Sequence, residues 1–434
     1  MSTPEHILTK TQTPLQGVFW FPENKNDRFN GVLKMQAGKK ATLELLSLSS
    51  SLYDDSKKVI HGVDEYGRHI TIVKAYSSSH SGKSNDTSVS KSSYDCEALI
   101  FRAHISADNL KFHGVKLQFD HLEKWVGRCA FERYHEKWDD QEKRNYPAKL
   151  VIPFAKDLSI KLNLDEYKDS DFFCAFTITP SSNSFSLKSN IFLNLTFETA
   201  KTWEEIQADI QLWEWFFNLA TRTTVEPRYI ALQRDEIRIP IGNNSMEPLP
   251  VWTGRDYSPQ LLHPKRHSHD FHFTFSDIET DFPKIITNWR RIWKPWAPVL
   301  HRFHSIASPR RLWVNEKFLF LAQAIEALHY ARTGKSKDFY GAAKEAWLNS
   351  PEPLQEILGK RGLFIDTLRE TRNYWVHYGE PTEKAIIESR DLIRFNEKLR
   401  FVIETAILTE IGISADLVNK VYSGQWQGQF VDYD

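Results

Sequence analysis

Six consecutive residues near the end of the chain hold the side chains best suited to chemistry: Arg372-Asn373-Tyr374-Trp375-Val376-His377. Asn373 and His377 are four apart, so on a helix they share a face, and Arg372 borders it. An arginine fork grips a phosphate in two places. A histidine titrates near neutrality and gives or takes a proton. In a last helical turn the dipole favours its imidazolium form. Together these groups suit one reaction on RNA. A base removes the ribose 2′-hydroxyl proton, the oxygen attacks the adjacent phosphate, and a cation stabilises the charged pentavalent state. No metal is needed for those steps. Arginine and histidine at a helix C-terminus also serve as an ordinary cap, so spacing alone leaves both readings open.

Two other stretches carry candidate groups. His267-Ser268-His269-Asp270-Phe271-His272 places three histidines in six residues and invites a metal reading. It resembles the metallo-β-lactamase His-x-His-x-Asp-His motif, but Phe271 stands where that motif needs Asp. Phe271, Phe273 and Phe275 alternate with His272 and Thr274, which favours a strand with exposed histidines. From Phe282 to Asn315 the chain has no acid, while Arg290, Arg291 and Lys294 lie among Trp289, Trp293 and Trp296. Cations neutralise phosphates and aromatics stack on unpaired bases. The tryptophans also form a core stripe at helical spacing. The basic residues read equally as an RNA-facing surface and as an ordinary solvated face.

The elements that must position these groups fall into two halves. Leu158, Ile160, Leu162 and Leu164 alternate with polar residues, as do Ile191, Leu193, Leu195 and Phe197, which marks half-buried strands. Earlier short, turn-bounded β-rich segments add to a sandwich or curled barrel. Between two of them, serine-rich Tyr76–Asp95 reads as a mobile loop, since it is poor in apolar residues. Helical patterning starts at Thr202, which with Glu205 makes a capping box. After Phe282 it continues almost to the end. Val314, Phe318, Leu321, Ile325 and Leu328 form one stripe. Helices follow around Phe339–Leu348 and Leu354–Leu358, and one carries Ile365, Leu368, Arg372 and Val376. Asp366 and Arg369, one turn apart, read as a surface pair. Gly379 and Pro381 read as its stop signals. A last amphipathic helix runs from Leu392 to near Gly412. The expected class is α+β multidomain: a β-rich sandwich- or barrel-like domain over 1–200, a helix and connector over 201–281, and an all-α domain over 282–434.

The 434 residues carry a formal net charge of zero, so any nucleic-acid surface must be a local patch. Cys96, Cys129 and Cys174 are widely spaced, which indicates neither a disulfide framework nor a zinc knuckle and fits a reducing cytosol. No signal-peptide pattern and no membrane-length apolar run is present. The expected location is cytoplasmic.

The motif resembles the Arg-x4–6-His signature of HEPN domains, with four residues between Arg372 and His377 and a polar residue directly after the arginine. The helix "FLFLAQAIEALHYAR" upstream and the long closing helix resemble the same family. The layout of a β-rich region followed by "AQAIEALH…RETRNYWVHYG" resembles ApeA-type antiphage proteins. The likeness is specific over about Leu312 to Glu410. It implies a helical bundle that forms a homodimer, with two motif helices facing across a composite cleft. It implies a metal-independent endoribonuclease of a toxin or abortive-infection system, cleaving tRNA, with no cofactor. Carried over, Arg372 binds and stabilises the scissile phosphate, Asn373 positions it or the ribose, and His377 is the acid/base group. A partner's His377 supplies the second proton transfer. Glu326, beside the apolar stripe of its helix, is a supporting candidate, and reads equally as an exposed glutamate. The alternative is a non-catalytic HEPN dimerisation or nucleotide-binding module. The two-part layout also motivates a β-rich half that senses a phage-derived trigger and gates the helical half.

Overall fold

A computed structural model of the protein describes residues 14–36, 39–47, 58–81, 90–128, 158–180, 185–237, 240–241, 245–246, 248–253, 267–307, 312–336, 338–378, 380–386 and 388–420. The chain divides into two compact units. The first holds 1–122, 129–210 and 226–262; the second holds 123–128, 211–225 and 263–434. The class is α+β: a barrel-and-sheet region followed by a helical one.

In the first unit the strands are β1 (Leu15–Trp20), β2 (Phe29–Lys34), β3 (Ala41–Ser47), β4 (Lys58–Asp64), β5 (His69–Ser81), β6 (Ser90–Phe101), β7 (Lys111–Phe119), β8 (Ser159–Lys161), β9 (Asp169–Pro180), β10 (Phe185–Thr202), β11 (Pro227–Gln233), β12 (Pro240–Ile241), β13 (Ser245–Met246) and β14 (Leu249–Thr253). The order β3-β2-β1-β4-β5-β6 closes on itself because β3 also pairs with β6. Closure removes the sheet edges on that side. Alternate residues point inward, and Phe19, Leu33, Leu43, Ile60, Ile72 and Leu99 fill the barrel. Gly62 is required there, because a Cβ on it would collide with the Phe19 ring. Beyond β6 the sheet continues as β14-β11-β7-β10-β9-β8. Leu158 is half-buried, Ile160, Leu162 and Leu164 are buried, and Ile191, Leu193, Leu195 and Phe197 are buried too, as the alternation predicts.

The serine-rich loop expected over Tyr76–Asp95 is corrected. Tyr76–Ser81 belongs to β5 and Ser90–Asp95 to β6, and the two pair with each other, Tyr76 opposite Asp95. Ser90, Ser92 and Tyr94 are buried. Serine serves here as the small inward residue beside the core side chains of Tyr94 and Cys96, on a strand paired along both edges. Residues 82–89 lie outside the described residues.

The helices are α1 (Leu122–Val126), α2 (Trp203–Thr221), α3 (Phe275–Ile278), α4 (Phe282–Trp293), α5 (Ala297–Ala307), α6 (Val314–Thr333), α7 (Phe339–Leu348), α8 (Glu352–Leu358), α9 (Arg361–His377) and α10 (Ser389–Ile411). The capping box of α2 is present: Glu205 accepts from the Thr202 N–H at 2.8 Å, and the Thr202 hydroxyl accepts from the Glu205 N–H at 3.3 Å. In the second unit Trp125 of α1 is fully buried among Phe217 at 5.2 Å, Phe275 at 5.8 Å and Phe282 at 6.1 Å. The buried Trp289 indole donates to the Leu212 carbonyl at 3.0 Å. Further along, Phe395 of α10 stacks on Phe318 of α6 at 6.2 Å and tilts against Phe364 of α9 at 5.9 Å. These contacts fix the three helices that carry or flank the motif.

Candidate active site

Helix α9 buries Phe364, Ile365, Leu368 and Thr371, so its inward stripe ends at the residue before Arg372. Thr371 is wholly buried, and its hydroxyl accepts the Ile386 N–H at 3.0 Å. Trp375 donates its indole N–H to the Ile386 carbonyl at 3.2 Å, with Tyr374 edge-on at 5.1 Å. Lys384 grips Asp366 at 2.7 Å, and that bond holds the Asp366 carboxyl below its ordinary range. The segment after the helix is thus strapped back along it. The expected Asp366–Arg369 pair does not form: Arg369 turns to Glu370 at 2.8 Å, because Lys384 already occupies Asp366. The helix stops at Tyr378, which adopts the left-handed conformation at φ 52° and donates its N–H to the Tyr374 carbonyl at 2.7 Å. Tyr378, not glycine, takes the capping position; Gly379 lies outside the described residues.

At the motif, Arg372 is half-buried. Its Nη2 lies 3.5 Å from Glu326 Oε1 on α6, and its guanidinium sits 5.1 Å from the Phe339 ring centroid at the start of α7. Three helices therefore converge on one arginine. An ion pair with one carboxylate and an aromatic face fixes a guanidinium while leaving other N–H groups of its fork for a ligand. Asn373 and His377 are exposed and make no hydrogen bond or ion pair with the described residues. Both are ready for an external partner. Phe339 was not legible as a site residue, because nothing in its spacing links it to Arg372. Its helix start was legible, since Asp338 caps it by accepting the Gly341 N–H at 2.7 Å.

The basic segment divides. Trp289 and Trp296 are buried and Trp293 is half-buried. Arg290 is half-buried, Arg291 pairs with Glu410 at 2.8 Å, and Lys294 is exposed, with no ion pair among the described residues.

The expectation of a strand with exposed histidines over Phe271–Phe275 is corrected. Ser268–Asp270 forms a 3-10 turn, Thr274 caps α3, and His272 is buried. The side chain of His269 lies outside the described residues, and no metal-ligand cluster occurs among the described ones. His272 Nε2 instead lies 3.3 Å from Glu404 of α10. Glu404 also receives Arg400 at 2.7 Å and Arg222 at 3.4 Å, and Arg222 reaches Glu397 at 3.0 Å. Burial pushes the Glu404 carboxyl up, but Arg222 and Arg400 outweigh it and hold it far below its ordinary value. Burial holds His272 below 6.5 against the pull of Glu404, so it stays neutral. Sequence spacing missed this cluster because its members are scattered over three elements.

A helical bundle with Arg372 and His377 on one helix, and an acid facing the arginine from another, has the make-up of a HEPN domain. Residues 319–417 match the family model for the Apea-like HEPN. Residues 14–289 match the model for ApeA N-terminal domain 1, and the chain belongs to the ApeA family. No curated protein matches the chain, and no solved structure does. HEPN domains are generally ribonucleases that commonly dimerise and bind RNA, and the ApeA type points to a nuclease-like defence effector. No helix among the described residues is long and apolar enough to cross a membrane.

Proposed function

We propose that the chain is a metal-independent endoribonuclease effector of an antiphage, abortive-infection system, acting on tRNA in the cytoplasm as a homodimer. One observation carries this reading. Arg372 is held by Glu326 and Phe339, while Asn373 and His377 beside it are exposed and uncommitted. In this scheme His377 accepts the 2′-hydroxyl proton as the oxygen bonds to phosphorus. Arg372 neutralises the pentavalent phosphorane, and the P–O5′ bond breaks. The His377 of a second copy protonates the departing 5′-oxygen, leaving a 2′,3′-cyclic phosphate. Asn373 holds the phosphate or ribose. Arg290, Arg291 and Lys294 are proposed to attract the rest of the RNA backbone. The β-rich unit senses a phage-derived trigger. Leu363, Val376 and Tyr378, 59%, 43% and 71% exposed, leave apolar surface on and beside α9 that a second copy would cover.

The same exposed surface favours the second reading, a non-catalytic HEPN dimerisation or nucleotide-binding module. Full-length protein incubated with tRNA in a chelator separates the two. Cleavage that His377→Ala abolishes supports the nuclease. A His377→Ala chain that cuts as well as the wild type sinks it. Loss of the dimer on changing Arg372 and His377, with no cleavage at any stage, supports the module.

A further inference from the structure

In the first unit, the middle of the extended sheet carries a polar row at one register. Lys116 of β7 is directly opposite Asn194 of β10, and Asn194 is directly opposite Asp171 of β9. The three side chains therefore stand side by side on one face. Asp171 is fully engaged: it accepts from Asn194 Nδ2 at 2.8 Å and from the Ser159 hydroxyl at 2.6 Å, with Lys161 at 3.8 Å. That engagement fixes Asn194 with its Oδ1 buried and without a hydrogen bond. Lys116 is half-buried. Its ammonium rests over the Phe192 ring at 4.3 Å and the Phe173 ring at 5.1 Å, and makes no hydrogen bond or ion pair. Tyr229 meets Phe192 edge-on at 5.8 Å and stiffens that floor. Burial pushes the Lys116 ammonium pKa down, and Asp171 restores only part of it.

Desolvated charges and buried carbonyls are costly when unpaired. Here an ammonium and a buried amide oxygen on neighbouring positions have no hydrogen-bond partner among the described residues. A carboxylate would have closed the ammonium, and none among the described residues does. Water alone satisfies such a pair poorly over an aromatic floor.

We propose that this face binds a small oxyanion bearing an adjacent O–H or N–H donor, the oxyanion on Lys116 and the donor on Asn194 Oδ1. The chemistry is shared by phosphate esters and by hydroxycarboxylates. It is independent of the motif on α9 and of the nuclease reading.

The test uses the full chain and isothermal titration calorimetry with three probes: inorganic phosphate, adenosine monophosphate and lactate. Binding of the first two, with lactate silent, assigns a phosphate ester; binding of lactate alone assigns a hydroxycarboxylate. Lys116→Met keeps the stem over the rings and removes the charge. It should weaken the bound probe by about tenfold or more, as expected for a charge-assisted contact. Lys34→Met, on β2 of the same sheet, should leave binding within about twofold. A second measurement needs no variant: the bound probe should protect Lys116 of the wild-type chain from acylation. No binding by any probe overturns the proposal. So does equal binding by a folded Lys116→Met chain, or unchanged acylation of Lys116 at saturating probe.

Discussion

His377 and Arg372 stand in different surroundings, so their substitutions should fail in different ways. His377 is exposed and makes no hydrogen bond or ion pair among the described residues, so His377→Ala should leave the fold intact. Its cleavage should fall by about 10² to 10⁴, the ordinary share of a general acid or base. Thermal unfolding beside the rate assay checks both halves. Arg372 has Glu326 behind it, and Glu326→Gln keeps the shape while removing the charge that holds the guanidinium. Cleavage should drop about tenfold or less, since the Phe339 contact remains. An unchanged rate would make Glu326 a spectator. The buried cluster sets a pH limit. His272 is held below 6.5, so the unfolded chain takes up a proton before the folded one does. The stability of the second unit should therefore fall as pH drops below 6.5. The low carboxyl of Glu404 adds to the loss as pH falls below 4.5. A melting series over that range checks the sign, and His272→Gln should flatten its upper part.

At the scale of elements, the strap after α9 is what aims the motif. Thr371→Val removes the acceptor for the Ile386 N–H and should cost about 1 kcal/mol or more, with a cleavage loss larger than the stability loss explains. Denaturant melts with single-turnover rates read the two separately. Much of the scaffold was legible. Period-two leucines gave the strands, and 3.6-period stripes gave α6, α9 and α10, because each buries one face and the pattern records it. The serine strand escaped, since Ser90 and Ser92 face inward without being apolar. His272 escaped because a short turn and a cap, not a strand, carry it inward. The motif was legible by spacing and resemblance. Phe339, Thr371 and Ile386 were not, since contacts between separate segments leave no periodic trace.

At the scale of the molecule, the helical unit is not a C-terminal block. It draws 123–128 and 211–225 from earlier in the chain. A fragment starting near Asp281 loses Trp125, Trp213, Phe216 and Phe275, the aromatic packing around Phe282. Such a fragment should be insoluble or molten, with dye binding as the check. Toxicity of that truncation would therefore be a poor gauge of gating. Point changes in the full chain are the better one.

The same interleaving bears on how the protein is made. A ribosome delivers Trp125 first, Trp213 next and the motif last, with α10 still to follow. The early pieces of the helical unit wait, unfinished, while strands β8–β10 and β11–β14 of the first unit emerge between them. A chain cut short by a premature stop lacks α10 and cannot close the bundle around Phe318 and Phe364. A stop codon upstream of Ser389 should therefore yield a product whose bundle never closes.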